Sequence, residues 1–146
     1  MGAYLLDTNH VSPLVTLGHP LRERVLKVLE EGHTLGISVP VLTEVLFGVG
    51  ITSRYIQNIA EWRQLQRLFF CYIPVQIDAE VAAELQISLR RQGRQLHTVD
   101  ALIAAVALRY ELILLTTDKD FQAVPNLDRK RRDKRDYEKF EWRECL

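Results

Sequence analysis

Apolar and polar positions fall in blocks along the chain, and the block lengths predict short buried strands separated by amphipathic helices. Ala3 to Leu6 is an apolar run cut off by Asp7-Thr8-Asn9, the pattern of a buried strand that ends in a polar turn. From Pro20 to Glu31, the residues Leu21, Val25, Leu26, Val28 and Leu29 recur at helical spacing, with Pro20 suited to a first turn and Gly32 to a C-cap. Leu35 to Val39 predicts a second strand. Pro40 then opens a helix over Val41 to Phe47 that Gly48 closes, which places Glu44 on a helix.

The same alternation continues through the second half. Residues 54 to 68 carry Tyr55, Ile59, Trp62, Leu65 and Leu68 at three- and four-residue spacing, and Phe69 to Val75 follows as an aromatic-rich strand. Asp78 is placed to cap a helix reaching about Arg91, Gly93 to end it, and Thr98 to cap the next helix through Tyr110. Leu112 to Thr116 is the most apolar strand candidate. Parallel neighbours need helical crossovers, so this order predicts an α/β fold: a three-layer sandwich with a mostly parallel central sheet.

Composition sets bounds on this picture without redirecting it. A chain of 146 residues fits one domain, and 47% hydrophobic with 26% charged residues excludes global disorder and collagen-like sequence. Nineteen basic and nineteen acidic side chains cancel, so contact with a polyanion must come from local clustering. Residues 128 to 146 hold eight Lys/Arg against six Asp/Glu and few large apolar anchors, which predicts a charged C-terminal tail, mobile or a solvated helix, after a body spanning 1 to 127. Cys71 and Cys145 lack CxxC spacing, so no zinc or disulfide framework follows. No signal-like start and no long apolar stretch occurs, and a cytoplasmic protein with no membrane partner is expected.

The candidate chemistry lies in the acids. Open parallel sheets place ligands beyond the carboxyl ends of their strands. Asp7 ends the first predicted strand and Asp118 follows the last, while Asp100 and Glu44 fall in the first turns of helices, so all four acids are candidates for one sheet edge. Two carboxylates about 4 Å apart repel by about 4 kcal/mol at an effective dielectric near 20. A hard divalent cation, Mg²⁺ or Mn²⁺, relieves that repulsion through oxygen ligands, keeps several waters, and suits phosphodiester hydrolysis. Each acid taken alone also fits a local role: Asp7 as a cap, Glu44 as a solvated helix residue, Asp100 as a partner of the helix dipole, Asp118 and Asp120 as turn residues.

Leu5-Leu6-Asp7-Thr8-Asn9 and Thr43-Glu44-Val45-Leu46-Phe47-Gly48 resemble the opening half of a PIN-domain ribonuclease. Thr98-Val99-Asp100-Ala101-Leu102-Ile103-Ala104-Ala105 is similar to that family's third acidic motif, and Thr116-Thr117-Asp118-Lys119-Asp120-Phe121 to its fourth. The four matches cover about residues 3 to 127, and the single-domain length resembles VapC toxins of bacterial and archaeal toxin–antitoxin pairs. The resemblance implies an endoribonuclease dependent on Mg²⁺ or Mn²⁺, with Asp7, Glu44, Asp100 and Asp118 catalytic and Asp7, Asp100 and Asp118 holding the metal. Thr8, Asn9, Thr116 and Asp120 would support them. It further implies an RNA substrate, a small cognate antitoxin that binds DNA, and a homodimer.

Other conspicuous residues read more plainly. His10, His19, His33 and His97 show no paired ligand spacing and fit surface or capping positions. Arg90, Arg91 and Arg94 surround a predicted helix end and fit the dipole or solvent better than a phosphate site. Trp62, Phe69, Phe70 and Tyr72 fit a core or a dimer face better than a base-stacking platform. The rival function is a non-catalytic PIN-like domain that holds RNA or protein without cutting it. An aspartyl-phosphate receiver is disfavoured, because position 9 is Asn and not a second acid.

Overall fold

The computed structural model of the chain describes residues 2–15, 19–116, 118–127 and 129–131, the last three and positions 9, 10 and 12 by backbone alone. Five strands form one sheet in the order β3-β2-β1-β4-β5, with every neighbouring pair parallel. They are β1 (Ala3–Leu6), β2 (Thr34–Ser38), β3 (Phe70–Tyr72), β4 (Ile113–Thr116) and β5 (Arg129–Arg131). The helices are α1 (Thr8–Val11), α2 (Pro20–Glu30), α3 (Val39–Gly50), α4 (Tyr55–Gln66), α5 (Gln76–Arg91) and α6 (Thr98–Arg109), with 3₁₀ turns at Ser12–Val15 and Lys119–Ala123. The parallel α/β sandwich expected from the block pattern is the architecture observed.

Sheet order fixes where a ligand can sit. From β1 the chain steps outward to β2 and β3, then returns across the sheet through α5 and α6 to lay β4 on the other side of β1. The order therefore reverses between β1 and β4. A crevice opens at such a switch point beyond the carboxyl ends of the strands. Leu5 pairs with Leu114 and Leu6 with Leu115, so β1 and β4 end side by side. The residues that follow, Asp7 and Asp118, flank that point.

Burial follows the apolar runs. Leu5, Leu6, Leu114 and Leu115 are buried at the sheet centre, and α6 buries Ala101 and Ile103 through Ala107, which suits a helix apolar on most of its circumference. Small alanines let α5 and α6 approach closely. Trp62 and Phe69 are buried and stacked with ring centroids 6.3 Å apart, so these two aromatics belong to the core, whereas Phe70 is exposed.

Several expected boundaries move. α3 runs through Gly48 to Gly50, because nothing crowds Gly48 and a glycine in an exposed helical turn is tolerated at a modest cost. β3 shrinks to three residues: it is an edge strand, and Pro74 has no N–H to continue a ladder. The N-caps of α5 and α6 are Val75 and His97, so Asp78 and Thr98 lie inside the helices that they were expected to cap. In the segment expected as a mobile tail or solvated helix, Arg129–Arg131 instead pairs with Leu114–Thr116 as a parallel strand. Backbone hydrogen bonding at a free sheet edge outweighs the unfavourable composition there. The remainder, 132–146, lies outside the described residues.

Candidate active site

The site grows from the ends of β1 and β4. Asp7 is only 4% exposed, and its N–H donates to the Leu115 carbonyl at 3.3 Å, so the ladder itself fixes the residue at the sheet edge. A buried carboxylate needs partners. Thr116, fully buried at the end of β4, donates its hydroxyl to Asp7 Oδ2 in a short hydrogen bond. The same Thr116 oxygen accepts the Asp118 N–H at 3.0 Å, so one side chain orients both acids of the switch point.

Asp118 and Asp120 combine turn chemistry with the site. Asp118 is the N-cap of the Lys119–Ala123 turn, and its Oδ1 accepts the Asp120 N–H at 2.9 Å. Asp120 itself is exposed, and its backbone steadies Asp118. On the other flank, the Thr8 hydroxyl donates to Glu44 Oε2 in a short hydrogen bond, which draws the exposed Glu44 of α3 toward the end of β1. Asn9 lies in α1, with its side chain outside the described residues.

Asp100, half-buried in the first turn of α6, completes the group. Burial pushes its carboxyl up to about 6, reinforced by the negative charges of Asp118, Glu44 and Asp7 and opposed by His97. Four acids far apart in sequence therefore meet at one edge, and among the described residues the basic group near Asp100 is His97. Among the described residues Asp100 makes no side-chain hydrogen bond and no ion pair. The sequence fits His97 to a surface or capping position. It is backbone N-cap of α6 without a side-chain cap bond, and its place three residues before Asp100 on one helix start was the available signal.

The donor set suits a hard cation, being all oxygen. Among the described residues no three His, Cys, Asp or Glu side chains stand at ligating distance of a common point. Hard divalent ions of this class commonly take one or two carboxylates directly and keep several waters.

Known proteins share this fold. The PIN domain family profile matches residues 4–127. Ribonuclease VapC2 of Rickettsia felis is 28% identical over 130 residues, covering 85% of this chain and 93% of that protein. The crystal structure of VapBC2 from Rickettsia felis bound to a promoter DNA fragment superposes with a TM-score of 0.79 at 25% identity, covering 90% of this chain and 99% of the other. DNA-bound VapBC from Salmonella typhimurium gives 0.76 at 20% identity, covering 90% and 98%.

Proposed function

The chain belongs to the PIN-domain family, and from that premise we propose that it is a metal-dependent endoribonuclease, the toxin of a type II toxin–antitoxin pair. The observation that carries the reading is the convergence of Asp7, Glu44, Asp100 and Asp118 at the switch point, where the charges of the other three help to raise the Asp100 carboxyl. Such a cluster costs stability unless something cationic binds, and a site that keeps the cost is a site for a ligand.

Asp7, Asp100 and Asp118 would hold the ion, one or two of them directly and the rest through its waters, with Glu44 at its outer side. When bound, Mg²⁺ or Mn²⁺ would supply an activated water and stabilise charge on the phosphoryl oxygen. The chain's own residues do the positioning. Thr116 aims Asp7 and anchors the Asp118 backbone, the Asp120 N–H fixes Asp118 Oδ1, and Thr8 restrains Glu44. Supports of this kind orient ligands and are each worth about 10- to 100-fold in metal affinity or activity. Asp100, with its carboxyl near 6, changes protonation just below neutral pH, so ion binding should weaken as the solution is acidified.

The partner reading rests on the VapBC relatives, whose structures hold toxin with antitoxin on DNA. A small DNA-binding antitoxin and a homodimer are proposed here on that likeness. No helix among the described residues is long and apolar enough to cross a membrane. The test is cleavage of a labelled single-stranded RNA with Mg²⁺, with Mn²⁺ and with EDTA. Cleavage in either metal, abolished by EDTA and by Asp7→Asn, is expected. RNA left intact in both metals, by folded protein freed of any antitoxin, would overturn the reading.

A further inference from the structure

An acid-lined site that takes a polyanion faces a second electrostatic problem: the substrate carries the same sign as the site. A bound ion offsets it locally, but the flanking phosphates of the strand need cations of their own. The structure places three of them on two cavities that share Arg94 and Gln95, beginning beside Asp118. Lys119 directly follows Asp118, and it lines a surface cavity with Arg94 and Gln95. Arg94 also lines the adjoining cavity with Gln86 and Arg90. Among the described residues, none of Arg90, Arg94 and Lys119 takes part in an ion pair. Among the described residues Asp120 is the sole acid on the first cavity and the second has none, so there the bases outnumber the acids.

The loop that presents Arg94 is built, not loose. Gly93 has φ +74°, a left-handed conformation that a side chain would resist, and it reverses the chain at the end of α5. The Gly93 and Arg94 N–H groups close on the carbonyls of Arg90 and Leu89 at 3.0 and 2.9 Å. Gln86 donates its amide to the Leu96 carbonyl at 3.0 Å and to Thr98 Oγ1 at 3.2 Å, and Leu96 is buried beneath. This ties α5 to the start of α6, the helix that carries Asp100. Arg94 and Asp100 are six positions apart in sequence, at most about 20 Å of extended chain. Helix-end charge alone accounts for Arg90, but not for Arg94 and Lys119 meeting across one cavity from different elements.

We infer that Lys119, Arg94 and Arg90 form a phosphate track that holds the RNA strand on one side of the scissile bond, binding the backbone without reading bases. The inference rests on the ribonuclease reading and deepens it. Its test is the triple variant Arg90→Gln/Arg94→Gln/Lys119→Gln, with Arg94→Lys as the charge-preserving variant and Arg63→Gln on α4 as a control for loss of one surface charge. Cleavage of one labelled single-stranded RNA is followed at several salt concentrations, with thermal melting to check folding. Half-saturation should rise at least about tenfold in the triple variant while kcat changes little. The log–log salt slope should flatten by about 2, at about 0.7 per lost phosphate contact on a single strand. Arg94→Lys and Arg63→Gln should stay near wild type.

A folded triple variant with unchanged half-saturation and slope would overturn the track, as would a loss confined to antitoxin binding. If the triple variant does not fold, Arg94→Gln alone is read the same way, with about a third of the slope change. If the wild type cuts no RNA, the ribonuclease reading fails by itself. Binding of the same RNA in EDTA, measured by anisotropy, then decides the track: weaker binding by the triple variant supports it and equal binding overturns it.

Discussion

Asp78 and Asp100 occupy the same local position, the third residue of successive helices α5 and α6, and they have opposite fates. Asp78 is 1% exposed and fully engaged. It accepts the Val75 N–H at 2.8 Å, closing the helix start, and takes a bidentate pair of bonds from Arg109 Nε and Nη2, each 2.8 Å. Arg109 in turn stacks over Tyr110 at 4.2 Å. Burial raises the Asp78 carboxyl, but the Arg109 and Val75 bonds prevail and hold it below its ordinary value. Asp100 has burial with His97 as its opposing neighbour and no bonded partner of that kind among the described residues, and its other charged neighbours are acids. A carboxylate neutralised within the fold is part of the architecture, whereas one left among like charges is open to an external cation. Local sequence is the same in kind; tertiary company decides.

The sharpest way to break that contrast is to remove each charge in turn. Asp100→Asn should keep the fold and lower metal-dependent cleavage by more than about 100-fold, beyond what loss of a merely supporting residue costs. Cleavage assays on protein of verified melting temperature check it, and an undiminished rate would move Asp100 out of the site. Asp78→Ala should do the reverse. It strips an ion pair whose Arg109 end is exposed and a helix-start bond together, so unfolding free energy should drop by about 2 kcal/mol while the rate per folded molecule stays the same. Urea unfolding followed by assay well below the transition separates the two effects, and lost turnover at full stability would place Asp78 in the chemistry.

What the chain made legible follows from the range of the forces involved. β1 was readable to the residue because an apolar run stops at Asp7, and the strand–helix alternation dictated the parallel sheet. The acids at the switch point were readable because strand ends and helix starts place residues at a known edge. The Asp78–Arg109 clasp was not, since it joins residues 31 apart on helices whose packing no local pattern states. Nor was β5, where the charged triplet Arg129–Arg131 gains its strand from a free edge of β4. Arg94 fits a helix end or solvent when read alone, and only the folded chain puts it on one cavity with Lys119.

Thr116→Val probes the contrast more gently, by leaving every charge in place and removing the hydroxyl that joins Asp7 to the Asp118 backbone. Activity should fall about tenfold, the low end for an orienting partner, and the loss should shrink at high metal concentration if affinity is what suffers. Thr116→Ser, which restores the hydroxyl, should recover most of it. A Val variant as active as wild type would mean that the sheet ladder alone positions Asp7.

The smallest effect is the most direct measure of the difference between the two aspartates, because pH acts on them with opposite sign. The folded-state carboxyl of Asp100 lies at about 6 against an ordinary 3.8. Between those values the folded chain keeps a proton that the unfolded chain releases, so this group lowers stability as pH rises through the window and costs nothing below it. The full shift would correspond to about 3 kcal/mol at 1.36 kcal/mol per unit; Asp100 is half-buried, and solvent screening brings the expected cost to about 1 kcal/mol. Asp78, held below 3.8, contributes stability that is present above that value and lost as pH falls beneath it. In EDTA, Asp100→Asn should therefore match wild type near pH 4 and become the more stable protein by about 1 kcal/mol at pH 7, whereas Asp78→Asn should be the less stable at pH 7 and close the gap in acid. Urea unfolding of the three proteins across that range measures both trends. An Asp100→Asn advantage that is flat with pH would show that its carboxyl does not feel the other acids in the folded chain, and the case for a cation-binding edge would lose its electrostatic support.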